Sequence, residues 1–317
     1  MVIDIHTHTF PDKIAAGAIG ALSRGAHIIP HTDGTIGELL GSMDDADIDV
    51  SVVVPVATSP AQVVKVNDSS IRNNEKYFDS NEGTDVRRVL SFGCIHPEFS
   101  DYRAELRRIA EHGIKGIKLH PVYQKCNIDD VKFLRIIDCA AENGIIVITH
   151  AGIDIGFPGV VHCSPQMCRN VWDEIEGSGH RLVLPGTDSL AERKPEYGFK
   201  FILAHMGGWT NWDEVPYHLA DTGVYLDTSF SSESIEPLDD GYWDDKDTRM
   251  MDADQYMEII RAFGPERILF GSDSPWTDQK RSREFIEKLP LSGDELRLIL
   301  GGNAERILDI LTPLKVL

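Results

Sequence analysis

The sequence predicts an α/β protein, and within that class a closed (β/α)8 TIM barrel, on two observations. Short β-branched runs alternate with longer amphipathic stretches along the whole chain, and eight such runs can be counted in 317 residues. Alternation of strand and helix implies a parallel sheet, and eight units in one domain imply a sheet that closes on itself. An open, doubly wound sheet is the alternative, but the G-x-G-x-x-G turn expected after its first strand is missing. The chain is therefore read as a single barrel domain spanning 1–317.

The first strand is expected at Val2–His8, a hydrophobic run that ends in His6-Thr7-His8. On an extended strand, residues two apart share a face, so both imidazoles project together. Strands follow at Val50–Val56, Val89–Ile95 and Ile114–His120, then at Ile145–His150, Phe199–His205, Gly223–Asp227 and Arg267–Ser272. Helical periodicity covers Tyr102–His112, Val131–Asn143, Trp212–Thr222 and Asp252–Phe263, with Gln279–Leu289 and Ser292–Leu311 after the last strand. Gly144 and Gly223 each follow such a helix, where a glycine ends it before the next strand. Two connections read as long loops, at about 57–87 and 151–200. Each follows the C-terminal end of a strand, the side on which barrels carry their sites, and loops of that length commonly form lids or pocket walls.

Composition narrows the partners. Lys and Arg number 31 against 51 Asp and Glu, a formal charge of −20. That balance opposes DNA or RNA, whose binding rests on phosphate neutralisation, and opposes an acidic membrane surface. A small-molecule substrate is expected, with no nucleic acid and no membrane; a homodimer is left open. Five Cys, an odd number, suit a reducing compartment better than a disulfide framework. No basic and apolar leader precedes the first strand, and no apolar run approaches the ~20 residues of a membrane span, so a cytoplasmic protein is expected. Cys163 and Cys168 flank one turn beside His162, but a structural zinc knot needs a fourth ligand nearby. Packing or pocket lining is the expected role.

Polar residues collect at the ends of the expected strands. His6 and His8 end the first, Lys118 and His120 the fourth, His150 the fifth, His205 the sixth, and Asp273 follows the eighth. In a barrel these ends converge on one mouth. A buried core histidine would explain any one of them; five histidines and an aspartate together point instead to a metal site with open coordination. Zinc takes three or four N/O ligands, keeps a position for water, and lowers that water's pKa to about 7. Asp273 can ligate or take the proton, and His205 can polarise a substrate carbonyl.

With these residues in place, the chain resembles the amidohydrolase superfamily, specifically its amidohydrolase-related branch. That branch holds aminocarboxymuconate-semialdehyde decarboxylase, aromatic-acid decarboxylases and lactonases. The resemblance runs from His6-Thr7-His8 through His120-Pro121, His150 and His205-Met206-Gly207-Gly208 to Gly271-Ser272-Asp273-Ser274-Pro275. It implies that His6, His8, His150 and Asp273 hold one divalent metal, usually zinc, and that His205 acts on substrate or bound water. An N/O ligand set also accepts Mn, Fe or Co. Superfamily members with two metals often carry a carbamylated lysine on the fourth strand, whereas one metal is usual in this branch. Lys118 is accordingly read as ion-paired to an acidic neighbour, with a carbamate bridge as the alternative. His120 is expected to contact substrate or the ligand shell.

Phe10, Phe157, Trp209 and Trp276 follow the motif residues closely and are candidates to line a pocket for a flat or apolar substrate, packing under a loop being the other reading. Arg169 and Arg193, in the second long connection, are candidates to bind a substrate carboxylate. His27, His96 and His162 have no assigned role. The leading expectation is a metal-dependent hydrolase of a small amide, lactone or ester, acting through metal-activated water. The rival is a non-oxidative decarboxylase of a small aromatic or unsaturated carboxylic acid at the same site, which an arginine beside the metal would favour. A metal-binding protein without catalysis ranks third.

Overall fold

The structure, a computed structural model, describes residues 1–81, 87–177, 198–232, 234–244 and 246–310. Its parallel strands form two sheets. The first holds β1 (Ile3–Thr7), β2 (Val50–Val53) and β3 (Arg88–Ser91). The second holds β4 (Gly93–Cys94), β5 (Gly116–Leu119), β6 (Ile146–Thr149), β7 (Phe201–Leu203), β8 (Tyr225–Asp227) and β9 (Ile268–Leu269). Only Phe92 separates β3 from β4, so the two are halves of the third expected strand. At the other junction, Ile5 N donates to Phe270 O at 2.9 Å, Asp273 N to His6 O at 2.8 Å and His8 N to Ser274 O at 2.6 Å. The chain beyond β9 therefore runs beside β1, and the staves follow one another in chain order, as a (β/α)8 fold requires.

The helices are α1 (Asp12–Ala26), α2 (Ile36–Ala46), α3 (Val63–Tyr77), α4 (Tyr102–Glu111), α5 (Val131–Glu142) and α6 (Pro165–Trp172). They continue with α7 (Val215–Leu219), α8 (Ala253–Phe263), α9 (Gln279–Lys288), α10 (Gly293–Arg297) and α11 (Asn303–Leu308). Local signals set several starts. Asp252 and Ser292 each form a capping box, with Gln255 and Glu295 respectively, satisfying amide groups that the first helical turn leaves open. One apolar core joins strands and helices, and includes Ile117, Val147 and Phe201 of the strands and Leu39, Phe133 and Ile260 of the helices. A second takes alternate residues such as Val50 and Val52, or Ile146 and Ile148, together with Ala304, Ile307 and Leu308 of α11. No described helix is long and apolar enough to cross a membrane.

The first long connection differs from expectation: α3 occupies fifteen of the residues read as a loop at about 57–87. Its buried face is Val63, Asn67, Ser70 and Asn74, so it lacks the apolar stripe that marks a helix in sequence. The asparagines take the place of apolar packing. Asn67 gives Nδ2 to Cys94 O at 3.1 Å and accepts from Cys94 N at 2.8 Å. Asn74 does the same with Ser91, at 3.0 and 2.6 Å. Each side-chain amide thus pairs with backbone on either side of the Phe92 break.

In the second connection α6 lies within 151–200, and residues 178–197 lie outside the described residues. The Trp212–Thr222 stretch is α-helical only over Val215–Leu219, and the C-terminal stretch is divided into α10, a five-residue π turn and α11. Gly144 takes a left-handed φ of 68°, as a helix terminator does. Gly223 serves a different end: a Cβ there would lie 2.5 Å from Trp172 Cη2.

Candidate metal centre

Position along β1 decides which side chains reach the mouth. Ile3 and Ile5 belong to the inner core, yet His6 and His8, of opposite parity, line the cavity above it. The register of β1 on β2 shifts between Asp4 and Thr7, the kind of irregularity that re-aims side chains. Two non-glycine site residues adopt left-handed backbone, His205 at φ 58° and Asp273 at φ 72°. Such positions cost of order 1–3 kcal/mol and collect where function requires a fixed side-chain direction.

His6 Nε2 lies 3.3 Å from His8 Nε2 and 3.4 Å from Asp273 Oδ1, and His8 Nε2 lies 3.0 Å from that same oxygen. Behind His6, Nδ1 meets Asp227 Oδ2 at 2.9 Å and Ser229 Oγ at 2.9 Å. Nδ1–H donates to the carboxylate, which leaves the Nε2 lone pair aimed at the cavity, the arrangement that fixes a ligating histidine. Burial and the Lys118 ammonium push His6 down to about 4, so it is neutral. Burial would raise Asp227, but His6 and Lys118 hold its carboxyl far below the usual range. Asp273 is also lowered despite burial, by His6 and His8.

Lys118 Nζ sits 3.1 Å from His6 Nε2; burial pushes it down to about 8 against the pull of Asp227 and Asp273. Both carboxylates act on it electrostatically, and the atom it touches is the imidazole.

His150 groups with His120 and with Asp154, while His6, His8 and Asp273 form their own group. His150 Nδ1 meets His205 Nε2 at 3.0 Å, and His205 Nδ1 meets Ser229 O at 3.0 Å. A carbonyl only accepts, so His205 carries its proton on Nδ1 and accepts from His150 Nδ1–H. His150 Nε2 is then a bare lone pair, and it is buried with no partner. Orphaned ligand atoms of this kind, nitrogen and carboxylate oxygen together, fit a divalent first-row metal.

These groups form the base of a cavity of about 1050 Å³ whose walls include Phe10, Trp209, Trp276, Phe230 and Tyr123. Three of the four aromatic residues singled out in sequence therefore line it. Phe157 instead packs edge-on against Tyr123, ring centroids 5.5 Å apart.

A model of the amidohydrolase family matches residues 3–310. The chain belongs to the amidohydrolase family. Solved structures agree on the fold. An uncharacterised TIM-barrel protein of Bordetella bronchiseptica is 17% identical, with a TM-score of 0.67 over 97% of this chain and 98% of that one. A dihydroxybenzoic acid decarboxylase of Polaromonas sp., with bound manganese and an inhibitor, is 15% identical, with a TM-score of 0.62 over 97% and 96%. A probable 2-pyrone-4,6-dicarboxylic acid hydrolase of Acinetobacter baumannii is 15% identical, with a TM-score of 0.57 over 97% and 99%. No curated protein matches the chain. Decarboxylases and a hydrolase thus share this amidohydrolase fold.

Other sequence candidates fall away from the mouth. Arg169, on α6, is committed to Asp173, Asp221 and the His218 carbonyl, so it is not the carboxylate binder expected there. Arg193 lies outside the described residues. His162 bonds Asn127, His27 pairs with Asp240, and His96 accepts from Glu98 N. Cys163 and Cys168 are buried with their sulfurs 3.5 Å apart. Asp227, Ser229 and Asp154 were not singled out in sequence. Asp227 ends a predicted strand, the same positional signal that marked the histidines; Asp154 follows His150 by four residues in a connection whose path the sequence leaves open.

Proposed function

We propose that this protein is a metal-dependent hydrolase that cleaves a small amide, lactone or ester at the base of the cavity. The observation that carries the reading is the meeting of His6, His8 and Asp273 with the His6 tautomer fixed from behind by Asp227. Zinc is the proposed metal, with Mn, Fe or Co compatible with the same donors; bound there, it would polarise a carbonyl and activate water. Asp273 offers a second oxygen to receive the water's proton. His205, which also lines the cavity, is the proposed acid–base group toward substrate, a role that needs its Nε2 to exchange the His150 contact for one with the substrate. The aromatic walls suit a flat or apolar body.

A second reading, decarboxylation, has one observation in its favour. Arg72 and Lys65 of α3 and Lys13 of α1 line the outer wall of the same cavity and offer cations to a substrate carboxylate. The products separate the two. Hydrolysis of a lactone creates an acid and releases a proton, followed in a pH-stat, whereas decarboxylation consumes a proton and releases carbon dioxide. Metal-loaded protein turning over lactones or esters, but not aryl carboxylates, supports the hydrolase. Carbon dioxide release with no hydrolysis overturns it.

A further inference from the structure

Amide, lactone and ester differ in one feature at the scissile bond: only an amide can carry an N–H there. Asp154 lines the cavity and is held where it can read that difference. Its main chain is pinned on both sides. Gly152 N donates to Cys163 O at 2.7 Å and Ile153 N to Trp209 O at 3.1 Å, while Phe157 N closes a turn onto Asp154 O at 2.9 Å.

Asp154 is only 5% exposed, yet its carboxylate is under-bonded. Oδ1 accepts from Gly156 N at 2.8 Å. Oδ2 lies 3.5 Å from His120 Nε2 with no hydrogen bond between them, and among the described residues no lysine or arginine pairs with it. A buried carboxylate with an unfilled oxygen is costly unless a donor meets it. Position identifies that donor. A carboxylate oxygen of Asp154 lies within 4.8 Å of a ring nitrogen of His150, and both residues line the cavity. A group that donates to Asp154 therefore sits beside a carbonyl held at the cavity base.

We infer that Asp154 accepts a hydrogen bond from an N–H on the atom next to the scissile carbonyl, so that the preferred substrate is an N–H amide or lactam rather than a lactone or ester. The inference rests on the hydrolase reading and narrows its substrate. The bridging oxygen of an ester offers only lone pairs, which face the carboxylate and leave its oxygen unfilled. A site built to meet a donor rejects the analogue that lacks it far more strongly than apolar walls can. Asp154 thereby sets specificity without ligating the metal.

The test uses zinc-loaded, full-length protein and two matched ligands that mimic the hydrated carbonyl. N-phenyl methylphosphonamidate and phenyl methylphosphonate differ only in N–H against O. Isothermal titration reads affinity, and elemental analysis reads zinc. Wild type should bind the N–H ligand more tightly by roughly 10–10²-fold. In Asp154→Asn, Gly156 N keeps Oδ1 in place and sets Nδ2 where Oδ2 was. The preference should then vanish or reverse, with zinc content as in wild type. Equal affinities in wild type, or a preference that survives in Asp154→Asn, would overturn the inference and leave the hydrolase reading intact. Loss of zinc in the variant would also overturn it, by making Asp154 a ligand. Binding of neither ligand would remove the hydrolase reading and the inference with it. A crystal structure of wild type with the N–H ligand decides the matter even if the variant fails to fold. Its nitrogen is expected about 3 Å from Asp154 Oδ2, and a nitrogen turned to any other acceptor overturns the inference.

Discussion

His6 and Asp227, 221 residues apart in sequence, are joined by a buried hydrogen bond of 2.9 Å between Nδ1 and Oδ2. That bond orients the imidazole and selects its tautomer, and so decides where its only lone pair points. Asp227 also accepts from the backbone of His205 at 3.1 Å and of Ser229 at 3.0 Å. One carboxylate therefore positions two histidines of the mouth.

Asp227→Ala should weaken metal binding by ~10–100-fold, the range seen when the partner behind a ligating histidine is removed. Competition with a chromogenic chelator measures it. Affinity equal to wild type would mean that His6 is held by packing alone.

His205→Asn should keep metal in the His6–His8–Asp273 group and lower turnover by ~10²–10⁴-fold, the usual worth of an acid–base group. Steady-state rates and metal content measured on one preparation separate the two effects. Loss of that metal would reassign His205 as a ligand.

The barrel and the convergence of polar residues at its mouth were legible in the sequence for a simple reason. Strand ends such as Ile148-Thr149-His150 combine a local hydrophobic pattern with a polar stop, and parallel order brings such ends together. Two things were not legible. The helix α3 was hidden because Asn67 and Asn74 replace an apolar stripe by amide pairing, which leaves no hydrophobic period. The bonding partners of His150 were hidden because strand position gives the end of the barrel on which a side chain lies, whereas the contact of its Nδ1 with His205 Nε2 at 3.0 Å depends on rotamers and on residues such as Ser229 that come from a distant turn.

The asparagine pairing has its own test. Asn67→Ala removes the side chain that satisfies Cys94 N and O and that also donates to Glu105 at 2.7 Å. Buried groups left unpaired cost ~1–3 kcal/mol each, so urea unfolding should show a loss of at least ~2 kcal/mol. An unchanged unfolding midpoint would imply that water fills the gap and that the pairing contributes little.

Lys118 distinguishes an ammonium from a carbamate bridge. Its Nζ lies 3.1 Å from His6 Nε2, on the lone pair that a metal would use, and its charge would repel a dication. At an effective dielectric of ~20, a unit charge ~4 Å from another is worth several kcal/mol. Lys118→Met, which keeps the buried volume and removes the charge, should therefore bind metal more tightly, by roughly tenfold or more, and bicarbonate should change neither variant nor wild type. A carbamate bridge predicts the reverse sign: affinity that rises with bicarbonate in the wild type and collapses in Lys118→Met. Isothermal titration with Zn²⁺, with and without bicarbonate, reads both. Weaker binding in the methionine variant would make Lys118 a modified ligand rather than a buried cation.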